Sequence, residues 1–140
     1  VMFREALADF DMGLEDRMNT KVGLLSGGQR QVVTLLMATL VPPRLLLLDE
    51  HTAALDPATA EKVMGITKRI VERENLTTLM ITHNVKSALE TGDRTIMLDA
   101  GNIIFDIGKE ERIGMTVEDL MKKYSNKKHE EFDNDRAIFS

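Results

Sequence analysis

Residues 45–48 are four consecutive leucines, closed off upstream by Pro42 and Pro43 and downstream by the carboxylates of Asp49 and Glu50. An apolar run that short, with no polar alternate position, reads as a strand buried on both faces, the pattern of a parallel sheet. Parallel strands need crossover connections, and the flanking sequence supplies them. Upstream, Ser26 with Gln29 three residues on forms a capping-box pattern. Val32, Val33, Leu36, Met37 and Leu40 then recur at helical spacing until the prolines stop them. Downstream, Asp56 is placed to cap a helix with Pro57 in its first turn, running to about Glu74. Residues 77–82 give a second strand, rich in β-branched side chains. The alternation predicts an α/β fold, a mainly parallel sheet with flanking helices.

The remaining segments are simpler. Residues 2–10 have a helical apolar spacing, and residues 11–25 are looser. Residues 84–90 are helical, and 94–98 and 103–107 are strands joined at "DAGN", a C-terminal hairpin. Residues 116–124 form a short helix with Thr116 and Asp119 as its capping box. The domain is therefore expected over residues 1–124, followed by a polar C-terminal tail over 125–140, loose from Ser125 to Asp135, whose apolar end, "AIFS", is able to dock. The methionines, Met37 and Met64 among them, read as core filler.

Composition narrows the partners. The chain of 140 residues carries 23 acidic against 18 basic side chains, a net charge of −5, so no global basic field for nucleic acid is expected. No apolar run approaches the length of a membrane span, and "VMFREALADFD" has charges where a secretion signal needs an apolar stretch. With no cysteine there is no disulfide framework, which fits a cytoplasmic protein.

In parallel sheets chemistry gathers at the carboxyl ends of the strands, where Asp49, Glu50 and His83 all fall. A carboxylate at a rigid strand end suits magnesium, which takes one or two carboxylates plus waters and phosphate oxygens. Its neighbour points elsewhere and can polarise a water. Ser26, Gly27, Gly28 and Gln29 open a helix, and glycines there let an anion approach the exposed N–H groups and the positive end of the dipole. Taken singly, each feature has a plainer reading: solvated acids, a capped helix, a structural histidine. His51 and His129 make no metal-ligand spacing with another histidine.

Taken together, the motifs resemble the nucleotide-binding subunit of ABC-type ATPases. "LSGGQ" at residues 25–29 is similar to the family signature, "LLLLDE" at 45–50 to the Walker B strand and its glutamate, "ALDP" at 54–57 to the D-loop, and His83 in "ITHN" to the switch histidine. Four matches in family order are specific where one is not. The resemblance covers about residues 1–110 and implies a P-loop NTPase (ABC ATPase) fold that binds ATP with Mg²⁺. It implies that Asp49 holds the metal, Glu50 is the general base for hydrolysis and His83 contacts the γ-phosphate. Ser26, Gly27, Gly28 and Gln29 would cover an ATP held by a second nucleotide-binding subunit in a head-to-tail dimer, and Asp56 would reach across that dimer. The implied partner is a transmembrane permease, with this chain a cytoplasmic, peripheral subunit on the inner face of the cell membrane.

Two departures stand out. The family usually has proline where this chain has His51, and "DEHTAALDP" resembles a variant of bacterial importers. More consequential, no G-x-x-x-x-G-K-[ST] occurs. The sole Gly-Lys pair, Gly108-Lys109, is followed by Glu110 and preceded at the fifth position by Ile103. Beginning at Val1, the sequence reads as the C-terminal portion of a longer subunit, a partial fold expected to bind ATP weakly, not to hydrolyse it alone, and to leave sheet edges open to pairing. Two other readings remain: a soluble ABC ATPase of translation, repair or cluster assembly, and a non-enzymatic fragment acting as a dimerisation partner.

Overall fold

A computed structural model describes residues 2–138, with side chains described for 4–129. The chain divides after Ile81 into two compact units.

The first unit runs α1 (Met2–Ala8), a 3₁₀ turn (Val22–Leu24), α2 (Gly27–Thr39), β1 (Leu46–Asp49), α3 (Pro57–Arg73) and β2 (Thr78–Ile81). β1 and β2 pair in parallel, with Leu46 opposite Thr78 and Asp49 opposite Ile81, as a crossover through α3 requires. Both helix starts are capped by the residues expected. Ser26 Oγ accepts from Gln29 N–H while Gln29 Oε1 accepts from Ser26 N–H, and Asp56 Oδ1 accepts from Thr59 N–H at 3.0 Å with Pro57 in the first turn.

The core forms where α2 and α3 face β1. Val32, Val63, Ile66 and Ile70 are fully enclosed, with Leu35, Leu46 and Leu48 around them. The buried row of α2 is Gly28, Val32, Leu35 and Thr39, not the full set of apolar positions. Met37, expected to fill the core, is 74% exposed, because Gly28 draws the opposite edge of α2 against α3.

β1 departs from expectation too. It is covered on one face only: Leu46 and Leu48 are buried, while Leu47 is 65% exposed. On β2, Leu79 opposite Leu47 and Ile81 opposite Asp49 are exposed as well. The reason is the alternation of a strand: α2 and α3 cover the even-numbered leucines, and Leu47 points the other way.

The second unit holds α4 (Val85–Glu90), β3 (Arg94–Asp99), β4 (Asn102–Gly108), α5 (Lys109–Arg112) and α6 (Val117–Ile138). β3 and β4 form the expected antiparallel hairpin. Ala100 and Gly101 both have positive φ, 48° and 81°, which marks a primed turn whose twist matches the strands. Ile104, Ile107 and Leu120 form its buried apolar centre. The Arg112 guanidinium closes the end of α4, donating to the carbonyls of Gly92 at 2.7 Å, Thr91 at 3.0 Å and Leu89.

The polar tail is not loose. α6 passes residue 125 without a break, after the Thr116–Asp119 capping box. Residues of α6 dock on the hairpin: Tyr124 Oη donates to Asp99 at 3.1 Å, and in the tail Lys128 pairs with Asp99 at 2.9 Å and Lys127 Nζ lies 5.7 Å from the Phe105 ring centroid. The periodicity missed this because the contacts are charged and aromatic ones rather than an apolar stripe. The docking of "AIFS" lies outside the described residues.

Candidate functional site

The site in the first unit is assembled from two junctions, the start of α2 and the turn between β1 and α3. At the start of α2 the intrahelical bonds begin with Arg30 N–H to Ser26 C=O, so the Gly27 and Gly28 N–H groups have no partner within the helix. Both ends of the Gln29 amide are engaged: Oε1 in the capping box and Nε2 donating to the Met12 carbonyl at 2.9 Å. Gln29 is therefore held in place as well as capping.

The glycines have a packing role that sequence reasoning did not separate from anion binding. A β-carbon on Gly28 would stand 2.3 Å from Thr59 Cγ2, and one on Gly27 would stand 3.1 Å from Leu55 Cδ2. Thr59 lies in the first turn of α3, and Leu55 immediately precedes the Asp56 cap. The "SGGQ" turn and the "ALDP" turn thus touch within one unit. The N-terminus of α2, with its positive dipole end, is placed by that contact.

The second junction begins at Asp49, the last residue of β1, whose side chain is exposed. Glu50 follows with φ of +44°, a left-handed conformation that non-glycine residues adopt at a cost. Its N–H still donates to Ile81 C=O at 3.0 Å, so the residue is tied to the sheet while its backbone turns away. The Glu50 carbonyl then accepts from Ala53 N–H at 2.9 Å, and Thr52 C=O from Leu55 N–H at 3.1 Å. Asp11, Asn75 and Ala100 share the left-handed conformation, but Glu50 alone of the four stands at the end of β1. The turn ends at Asp56, whose carboxyl is held below the usual carboxylate range by its bonds to Thr59.

His51 also belongs to this turn. Its Nε2 lies 3.0 Å from Thr67 Oγ1, in the third turn of α3. The Thr67 hydroxyl donates to Val63 C=O at 2.9 Å, so the ring nitrogen is the donor in the pair. Burial holds the His51 pKa below the ordinary histidine value.

His83 stands in the second unit, two residues beyond the β2 residue paired with Asp49. It is exposed, in a turn fixed by Asn84 N–H donating to Thr82 Oγ1 at 3.0 Å and by the Asn84 side chain capping α4 at Ser87 N–H.

As for a cation, no group of three or more His, Cys, Asp and Glu side chains suited to holding one occurs among the described residues. A dedicated protein cage is absent from that set. The single exposed carboxylate of Asp49 fits the other arrangement, an ion completed by waters and substrate phosphates.

Several known proteins are similar to this chain in sequence or fold. The family model described as ABC transporter matches residues 2–53, from α1 through the Glu50 turn. A tyrosine transport ATP-binding protein of Clostridioides difficile (strain R20291) is 48% identical over 118 residues, covering 84% of this chain and 47% of that protein. An aliphatic sulfonates import ATP-binding protein of Yersinia pestis is 41% identical over 104 residues, 74% of this chain and 38% of its own length. In three dimensions the chain superposes with a TM-score of 0.69 and 25% identity on a structure described as an inward-facing metal-chelate type ABC transporter, covering 87% of this chain and 48% of that one. The chain belongs with the ABC-type ATP-binding domains. Its fold is that of the ABC ATPases, a parallel α/β core with a C-terminal antiparallel hairpin. This ABC-type chain spans less than half the length of the curated relatives it matches. Sequence reasoning missed the His51–Thr67 link and the left-handed Glu50; the proline-to-histidine departure was the available signal for the first, and nothing local signalled the second.

Proposed function

We propose that this chain supplies the signature, Walker B and D-loop parts of an ABC ATPase site in the ATP-binding subunit of a transporter, on the importer side of the family. The observation that carries the reading is the contact of the "SGGQ" turn with the "ALDP" turn beside a strained, strand-tied Glu50. The importer assignment draws on the names of the relatives, two of which are a tyrosine transport and a sulfonates import protein.

In this reading the Gly27 and Gly28 N–H groups and the α2 dipole meet the terminal phosphate of an ATP held by a second subunit. Asp49 would hold Mg²⁺ through water, and the ion would supply charge neutralisation at the phosphates. Glu50 takes a proton from the attacking water, a role worth roughly 10²–10⁴-fold in rate. His83 hydrogen-bonds the γ-phosphate, and Asp56, at the head of α3, contributes to the dimer seam. The 140 residues contain no phosphate loop of the G-x-x-x-x-G-K-[ST] type, so turnover needs one from another polypeptide or another segment. A permease and a peripheral position on the inner face of the membrane complete the proposal. No described helix is long and apolar enough to cross a membrane.

The test mixes this chain with an ABC subunit that has a phosphate loop but a disabled signature. Restored ATP turnover, lost again on Glu50→Gln, supports the reading; no restoration over a wide concentration range refutes it. Tyrosine is the first solute to try in a reconstituted transport assay, given the name of the Clostridioides relative.

A further inference from the structure

The turn that carries Glu50 is pinned at three places. At its start Glu50 N–H bonds to Ile81 of β2, and at its end the Asp56 carboxylate caps α3. Between them the His51 ring reaches from the turn to α3, with Nε2 3.0 Å from Thr67 Oγ1, while Leu55 packs against the core. Thr67 is 4% exposed and belongs to the buried row of α3 with Val63, Ile66 and Ile70. Its hydroxyl is oriented by the Val63 carbonyl, so it offers a lone pair in a fixed direction. A ring N–H is the partner that completes it. A proline at position 51 would have no such reach.

We propose that His51 is a positioning residue: its ring, anchored on Thr67, holds the turn in which Glu50 keeps its left-handed backbone, and so fixes where the Glu50 carboxylate is presented. A left-handed glutamate is above its backbone minimum and persists only where its surroundings over-determine it. The bonds from Ala53 N–H to Glu50 C=O and from Leu55 N–H to Thr52 C=O close the turn locally but do not tie it to α3. The His51–Thr67 link does. The catalytic part of this assignment rests on the reading of Glu50 as the base. The anchor itself does not.

Three measurements test it. In the 140-residue chain at pH 7.5, nitrogen-15 spectra of the histidine rings, assigned with His51→Phe, should show His51 as the Nε2–H tautomer. An Nδ1–H tautomer overturns the anchor without any variant having to fold. Amide hydrogen exchange is then compared at Ala53 and Leu55 in the turn and at Ile66 in the core. Thr67→Val and His51→Phe should each speed the two turn amides about tenfold relative to Ile66, the double variant no more than either single one, while Thr67→Ser keeps the wild-type ratio. Equal acceleration at all three sites means general destabilisation and overturns the positioning role. Finally, in the dimer with a phosphate-loop subunit, Thr67→Val should lower kcat about tenfold with KM for ATP unchanged, and Thr67→Ser should restore it. An unchanged kcat refutes the catalytic half. A Glu50→Gln dimer that turns over normally refutes Glu50 as base, and the exchange result then stands separately.

Discussion

Gly28 of α2 and Thr59 of α3 approach so closely that a β-carbon at position 28 would lie 2.3 Å from Thr59 Cγ2. Threonine is stiff at χ1, so the clash cannot be relieved by a simple swing of the side chain. Gly28→Ala should therefore destabilise the first unit by about 1–3 kcal/mol, the usual range for overpacking. Thr59→Ser removes the clashing methyl and should return most of that loss. Denaturant unfolding of the two single variants and the double variant measures it. Equal stability of Gly28→Ala and wild type would show that the helices can part at no cost.

Glu50 pays for its backbone with φ at +44°. Glu50→Gly should relieve the Cβ penalty of the left-handed backbone, worth up to about 1 kcal/mol, set against the side-chain interactions it removes. The same change should abolish turnover in the reconstituted dimer. Glu50→Gln should lose turnover and leave stability near that of the wild type. Paired unfolding and ATPase assays separate backbone from carboxylate.

Burial lowers the His51 pKa below 6.5, so the folded chain favours the neutral ring. The sign follows from proton uptake: below the unfolded-state value the unfolded chain binds the proton first. His51 should contribute its full stability above about pH 6.5 and lose it as pH falls from there through the folded-state pKa. His51→Gln keeps a donor without titrating and should flatten this part of the stability–pH curve. An unchanged curve in that variant would assign the acid sensitivity to other groups. A second, lower-lying loss is expected from Asp56, whose depressed pKa makes its cap present above the ordinary carboxylate range and weak below it.

The open face of β1 and β2 sets Leu47, 65% exposed, directly opposite Leu79, 53% exposed. Paired exposed leucines on a short sheet favour self-association. Leu47→Thr with Leu79→Thr replaces the exposed leucines with polar, β-branched side chains suited to a strand and should lower the weight-average mass in sedimentation while shifting the melting temperature little. A large drop in melting temperature would mean that this face is covered in solution.

Arg112 closes the C-terminal end of α4 through four backbone carbonyls, those of Ala88, Leu89, Thr91 and Gly92. Arg112→Ala should cost the second unit about 2 kcal/mol, in the range for charge-assisted bonds. Amide exchange in α4 should accelerate more than in β3 and β4. Uniform acceleration would instead make Arg112 a general packing residue.

Much of this molecule follows from local chemistry. The caps Ser26–Gln29, Asp56 and Thr116–Asp119, the Pro57 helix start and the "DAGN" hairpin were all legible, because each is decided within four residues. The α/β class followed from the order of the elements. The chemistry-bearing residues are proposed as a set because their order along the chain carries the resemblance. The tail was not legible, because α6 is held by Asp99, Tyr124 and Lys128 across the hairpin rather than by an apolar stripe.

What the sequence alone determined, then, is which groups are available and where helices and strands start: short-range hydrogen bonds and backbone preferences suffice for that. The tertiary structure decided which face of β1 is buried, that Gly28 packs against Thr59, that Glu50 turns left-handed, and that His51 finds Thr67 sixteen residues away. Each of these depends on a neighbour from a distant part of the chain, and no local pattern encodes the distance between α2, α3 and the turn that joins β1 to them.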